Sequence, residues 1–281
     1  MEEALRLSHI SKSYPKFTLK DVDLVIPKGS IMGFIGENGA GKSTTMKAML
    51  GLIRPDSGTV YVDGKKFTGC ERDMKEHIGV VMDSACFSGE LNAKEIGSIM
   101  RRIYRTWDEA RFGKLLREYK IEETKKVKEY SRGMKMKLSI VVALSHDSKL
   151  LVLDEATSGL DPVVRDALLD TFLAFIQNEE HSVWLSSHIL SDLEKVCDYI
   201  TFIQDGKILF SENKDELMEK YQIVKGSAQQ IGELAPSSLV GVQENEFGAQ
   251  ALVLSDEIPD GMVCDRPSIE DIMLFHVKGG K

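Results

Sequence analysis

The sequence predicts an α/β fold: a mixed, mostly parallel sheet at the core, antiparallel strands at the N-terminus and a helical subdomain in the middle. Three observations lead there. Short apolar runs at 31–35, 78–82, 150–153 and 183–185 have the make-up of strands buried on both faces. Helix-forming stretches separate most of them, and this strand–helix alternation is the pattern of a parallel sheet. A glycine-rich string, GENGAGKST at 36–44, joins the first of those runs to a helix.

The elements follow in order. Leu5 and Leu7 alternate with Arg6 and Ser8, and 19–26 alternates again, so two strands precede the turn Pro27-Lys28-Gly29. Residues 41–52 read as a helix. Pro55-Asp56-Ser57-Gly58 is a turn, 59–62 a strand, and Asp63-Gly64 its end. Within 93–120, Ile96, Ile99, Met100, Ile103 and Trp107 are spaced for one helical face, read here as a core-facing stripe rather than a membrane-surface helix. The helical subdomain is expected at 84–147 and includes a helix at 131–144. Next come a helix at 162–177, a strand at 183–187, a helix at 189–196, strands at 199–203 and 207–210, and a short helix at 215–221. The pattern then weakens. A strand at 251–254 and a helix at 268–277 fall in a small C-terminal extension, 222–281, appended to a main domain at 1–221.

Composition removes several classes. With 42% hydrophobic and 28% charged residues among 281, the chain is not disordered. Lys and Arg total 36 against 44 Asp and Glu, a net charge of −8, which argues against a uniformly basic nucleic-acid binder. No run approaches the ~18–20 apolar residues of a membrane helix. The start, MEEALRLSH, lacks the basic and apolar regions of a signal peptide. Cys70, Cys86, Cys197 and Cys264 form no C-x-x-C pair and read as reduced, packed thiols of a cytosolic protein.

Three motifs carry chemistry. In residues 36–44, Gly36, Gly39 and Gly41 let the backbone around Asn38 and Ala40 curl so that its N–H groups face a phosphate chain. The helix that follows, through Thr44, adds the positive end of its dipole. Lys42 neutralises phosphate oxygens and Ser43 offers its hydroxyl to Mg²⁺. The second motif is LLVLDEATSGLDP at 150–162, where a buried strand holds Asp154 at its carboxyl end. Asp154 suits a hydrated Mg²⁺, and Glu155 suits orienting or deprotonating an attacking water. Asp161 and Pro162 cap the next helix. The third is Ser187-His188, leaving a buried strand at the end where α/β sheets bind ligands.

In this order the motifs resemble the ATP-binding subunits of ABC transporters, over residues 3–221. The resemblance implies a P-loop NTPase with an ABC-type cassette, binding ATP and Mg²⁺. It implies that Tyr14, in KSYP, stacks on adenine and that His188 contacts the γ-phosphate. It also implies that Asp154 and Glu155 are the magnesium aspartate and the catalytic glutamate. The family's loop glutamine is replaced by Asp83, which can still contact Mg²⁺ or its water. The usual Leu-Ser-Gly-Gly-Gln signature reads Tyr130-Ser131-Arg132-Gly133-Met134, keeping Ser131 and Gly133 for the nucleotide of a facing subunit. Such a variant resembles one-cassette subunits that pair with separate membrane subunits and often export antimicrobial or toxin peptides, or protect against them. With no membrane segment in the chain, the implied partners are a transmembrane permease subunit and a second cassette, homo- or heterodimeric, at the cytoplasmic face of the cell membrane. No nucleic-acid partner is expected.

Alternatives stand beside this reading. A soluble ABC-type ATPase acting on ribosomes or DNA would usually carry two cassettes or a long coiled coil, and neither is present. A GTPase would want Asn-Lys-x-Asp, and the nearest string, Asn213-Lys214-Asp215-Glu216, ends in Glu beyond the core. An importer ATPase remains open, with the altered signature and short tail favouring export.

Overall fold

The computed structural model describes residues 2–82, 87–245, 248–259 and 262–278. The chain opens with β1 (Glu3–Tyr14) and β2 (Phe17–Pro27), an antiparallel hairpin. Then come β3 (Ile31–Ile35) and α1 (Lys42–Met49), followed by β4 (Ser57–Val62) and β5 (Lys65–Phe67). These last two complete a four-stranded sheet in the order β2-β1-β4-β5. A short α2 (Arg72–Lys75) leads to β6 (Ile78–Val81). The helical part holds α3 (Ala93–Ile103), α4 (Glu109–Glu118) and α5 (Arg132–Ala143). Strands and helices then alternate: β7 (Leu150–Asp154), α6 (Pro162–Phe175), β8 (Ser182–Ser186), α7 (Leu190–Val196), β9 (Tyr199–Gln204) and β10 (Lys207–Asn213).

The second sheet runs β10-β9-β3-β8-β7-β6. From β9 to β6 its pairs are parallel. Every residue of β3, β7 and β8 is buried, as a sheet covered on both faces requires. Leu5, Leu7, Leu24 and Ile26 of the antiparallel sheet share one core with Phe34, Met46, Met49 and Trp184. Each such side chain contributes roughly 1.5–3 kcal/mol by leaving water. A separate core, built on Ile96, Phe112, Leu116, Leu138 and Val141, holds the helical part together.

The expected stripe of 93–107 is only partly inward. Ile96 is buried and Met100 packs on the core, but Ile99 and Ile103 are 39% and 59% exposed. The helix also stops sooner than the spacing suggests. Tyr104 turns extended, and the Glu76 carboxylate accepts from the Arg105 and Thr106 N–H groups (3.0 and 3.3 Å) and from the Thr106 hydroxyl (3.0 Å). Trp107 thereby leaves the helix and packs on Phe112, ring centroids 4.9 Å apart.

The chain divides into compact units Met1–Ser211 and Glu212–Lys281, ten residues ahead of the boundary expected from the sequence. The second unit contains α8 (Lys214–Lys220), β11 (Tyr221–Gly226), α9 (Ala228–Gly232), β12 (Leu239–Asn245), β13 (Gly248–Leu254), β14 (Val263–Asp265) and α10 (Ile269–Lys278). Its sheet runs β12-β13-β11-β14, all antiparallel, over a core of Val224, Ile231, Leu234, Ala251 and Val253. The helix α8 belongs here because it packs on β11, and the Ser255 hydroxyl donates to the Glu219 carbonyl.

One turn fixes the phosphate loop from below. Between β9 and β10, Asp205 and Gly206 both have positive φ (49° and 76°), the conformation of a tight type I′ hairpin. The Gly206 N–H donates to the Ala40 carbonyl (3.0 Å), and its carbonyl accepts from Lys20 N–H (2.7 Å). A Cβ here would collide with the Thr18 carbonyl oxygen. Gly206→Ala should therefore destabilise the first unit by roughly 1–3 kcal/mol. Urea unfolding of both proteins would show it, and equal midpoints would refute it.

Candidate active site

The strand order explains why three separate motifs meet. In the parallel sheet β3 neighbours β8 and β8 neighbours β7, with Phe34 and Asp154 both in register with Ser186. The carboxyl ends of these strands carry the phosphate loop, Asp154-Glu155 and Ser187-His188 respectively, side by side.

The loop opens α1 without a competitor for its N–H groups. Gly41 is the N-cap with φ 118°, no side chain caps the helix, and its first turn holds no acid. That leaves the N-terminal N–H groups for an anion. Gly41 is also fixed by space, since a Cβ would lie 2.9 Å from the Phe17 ring. Glu37, Asn38 and Gly39 are exposed at the tip, Ala40 is buried, and Ser43 and Thr44 are half-buried. Lys42 is buried and donates to the carbonyls of Gly36 (2.6 Å) and Glu37 (3.3 Å). Burial lowers its pKa, while the nearby Glu155 and Asp154 carboxylates act in the opposite direction. That opposing pull places the ammonium within the field of both acids.

Asp154 ends β7 at 3% exposure. A buried carboxylate needs partners, and the Ser186 hydroxyl donates to its Oδ1 at 2.7 Å. Glu155 has φ 55°, left-handed for a residue with a side chain. Its N–H donates to both the Ser186 carbonyl and the Ser186 Oγ, each at 3.1 Å. The turn sends the two acids in different directions, and the Glu155 Oε2 accepts from His188 Nδ1–H at 2.6 Å. Around His188 the chain turns, with the Ser187 Oγ accepting from the Ile189 N–H (3.0 Å). Asp161 caps α6 through Val164 N–H (3.0 Å), with Pro162 at its first position, as expected.

Tyr14 ends β1 directly opposite Phe17 and is 41% exposed, a face open to a flat ring. Lys12 Nζ lies 5.9 Å from the Tyr14 ring centroid. Ser131 caps α5, its Oγ accepting from Met134 N–H (3.2 Å). The structure does not bring Ser131 and Gly133 to this chain's phosphate loop. A Cβ on Gly133 would instead meet Leu160 Cδ2 at 3.2 Å, and one on Gly159 would meet the Arg132 guanidinium at 3.3 Å. Met134 packs into the helical core. Both departures from the family signature thus have local contacts. Asp83 lies outside the described residues.

The donor set fits a magnesium nucleotide. Asp154 has one oxygen committed to Ser186, and the Ser43 hydroxyl stands at the start of the same helix as Lys42. A serine hydroxyl and a carboxylate are the hard oxygen ligands that Mg²⁺ takes beside phosphates. Sequence reasoning missed two residues that the geometry brings in, Phe17 and Ser186. Phe17 is findable from the Pro15-Lys16 turn, which pairs it with Tyr14. Ser186 is findable as the polar residue ending the strand next to Asp154.

Comparison with known proteins gives the family. Residues 19–158 match the family model described as ABC transporter. The chain is 36% identical over 203 residues to the ABC transporter ATP-binding protein YtrB of Bacillus subtilis, covering 72% of this chain and 69% of YtrB. It is 36% identical over 222 residues to the lantibiotic transport ATP-binding protein SrtF of Streptococcus pyogenes, covering 76% and 95%. A solved ATP-binding subunit of an ABC transporter matches with a TM-score of 0.68 at 27% identity, covering 82% of this chain and 93% of that one.

Proposed function

Because the chain belongs to the ABC transporter family, as one of its ATP-binding subunits, we propose that it powers export of an amphipathic or antimicrobial peptide through separate membrane subunits. The single observation that carries the ATPase chemistry is the meeting of Lys42, Asp154, Glu155 and His188 at three adjacent strand ends. The likeness to SrtF, a lantibiotic transport ATP-binding protein, supports a peptide cargo. Among the described residues no helix is long and apolar enough to cross a membrane, so passage of cargo needs another subunit. That subunit would hold the chain at the cytoplasmic face of the membrane.

The residues divide the work by position. Tyr14 stacks on the adenine, and the loop N–H groups with Lys42 hold the phosphates. Ser43 and Asp154 would hold Mg²⁺, with Asp83 on the same ion or its water. When bound, the ion offsets phosphate charge. Glu155 orients the attacking water. Its Oε2 is engaged by His188, so Oε1 is the oxygen that takes the proton. With Nδ1 engaged by Glu155, His188 Nε2 is the ring nitrogen left to contact the γ-phosphate. Ser131 and Gly133 complete the second chain's site, so two chains close on two ATP and reopen after hydrolysis.

The test is purification from membranes under mild detergent, followed by a tolerance assay. The expected result is co-purification with a multi-helix membrane protein. Tolerance to a lanthionine peptide should also be lost on Glu155→Gln. Co-sedimentation with ribosomes and no membrane partner would overturn the reading.

A further inference from the structure

Ser186 is used by nothing in the scheme above, yet it is the residue on which both acids rest. It is fully buried at the end of β8, in register with Phe34 of the phosphate-loop strand on one side and Asp154 on the other. Its one hydroxyl serves two partners. The O–H donates to Asp154 Oδ1 (2.7 Å), and the oxygen accepts from Glu155 N–H (3.1 Å). The hydroxyl of a serine has one proton and two lone pairs, so it can do both at once.

We propose that Ser186 is a positioning residue whose hydroxyl sets the metal-side oxygen of Asp154 and shares, with the carbonyl of the same residue, the hold on the left-handed backbone of Glu155. The physical argument has two parts. Asp154 is a buried carboxylate with two oxygens. Fixing Oδ1 fixes the plane of the group and hence the direction in which Oδ2 is offered. Partners of metal-holding carboxylates act in this way, and losing one typically costs about 10–100-fold in metal affinity or activity. Glu155 sits at φ 55°, a strained conformation for a side-chain-bearing residue that persists only where neighbours hold it. The N–H, shared between the Ser186 Oγ and the Ser186 carbonyl (3.1 Å each), supplies such a hold, and the Glu155 carboxylate meets His188 (2.6 Å). One residue thereby holds two adjacent acids. The inference rests on the reading of Asp154 as a magnesium residue and Glu155 as the residue that acts on water.

The test compares binding of a fluorescent ATP analogue, in EDTA and in Mg²⁺, with ATP turnover. The proteins are the wild type and the variants Ser186→Ala, Ser186→Thr and Asp154→Asn. Affinity in EDTA reports the phosphate loop and should be the same in the wild type and the Ser186 variants. In Mg²⁺ the wild type should bind more tightly. Ser186→Ala should lose about 10–100-fold of that gain and a similar factor in turnover. Ser186→Thr keeps the hydroxyl on a β-branched side chain suited to a strand and should restore both. If its extra methyl prevents folding, Ser186→Cys, a near-isostere with a weak donor, should fall between wild type and Ala. Three results would overturn the proposal: Ser186→Ala keeping the full Mg²⁺ gain, Thr behaving like Ala, or Ala losing EDTA affinity as well, which would mark a merely structural role. Asp154→Asn keeping the Mg²⁺ gain is a different failure: it removes the metal reading of Asp154 itself.

Discussion

Glu155→Gln lowers ATP turnover by roughly 10²–10⁴ and leaves ATP binding intact. The substitution is nearly isosteric, and it removes the ability to take a proton while keeping a polar group at the same place. Binding is spared because the groups that hold the phosphates lie elsewhere, on the loop and α1, where Lys42 is fixed by the Gly36 and Glu37 carbonyls. The backbone turn at Glu155 does not depend on the side chain, because its N–H is held by Ser186. Single-turnover kinetics with a parallel binding isotherm separate the two quantities. Wild-type turnover in the variant would remove Glu155 from the chemistry. Loss of binding in step with turnover would assign it to the nucleotide pocket instead.

Much of this site is readable in the sequence because its parts are local. A phosphate loop is built from consecutive residues between a strand and a helix, and Asp154-Glu155 follows directly on a fully buried strand, so pattern and chemistry coincide. The main sheet was legible for the same reason: 31–35, 150–153 and 183–185 are apolar without interruption, and only a doubly covered strand needs that. What stayed hidden depends on distant pairings. Ser186 is an unremarkable serine until the register β3-β8-β7 sets it beside Asp154. The end of α3 is decided by Glu76, nearly thirty residues earlier, whose carboxylate captures the Arg105 N–H. In the second unit, β11 and β12 were not foreseen. Tyr221-Gln222-Ile223-Val224 alternates too briefly, and Leu239 to Asn245 mixes glycine and polar residues. Their strands are specified by pairing with β13.

The second large effect concerns who completes the site. In one chain, the loop N–H groups and Lys42 are proposed to hold one side of the phosphates, while Gly133 lies against Leu160 of its own chain and Ser131 caps its own helix. The N-terminus of α5 is nonetheless a second set of N–H groups, and the account gives it to the nucleotide of a facing chain. Lys42→Ala removes the cation from one half of each site. Gly133→Asp puts a carboxylate into the other half, where it repels the γ-phosphate. Each variant alone has two spoiled sites. In a mixed pair, one site collects both defects and the other collects neither.

The decisive measurement is therefore nucleotide trapping by Lys42→Ala and Gly133→Asp proteins, separately and mixed, with heterodimers verified by differential tags. Neither protein should trap ATP alone, and the mixed dimer should trap one ATP per pair. No recovery in verified heterodimers would contradict it, because a site built from one chain's own residues keeps its defect in every combination.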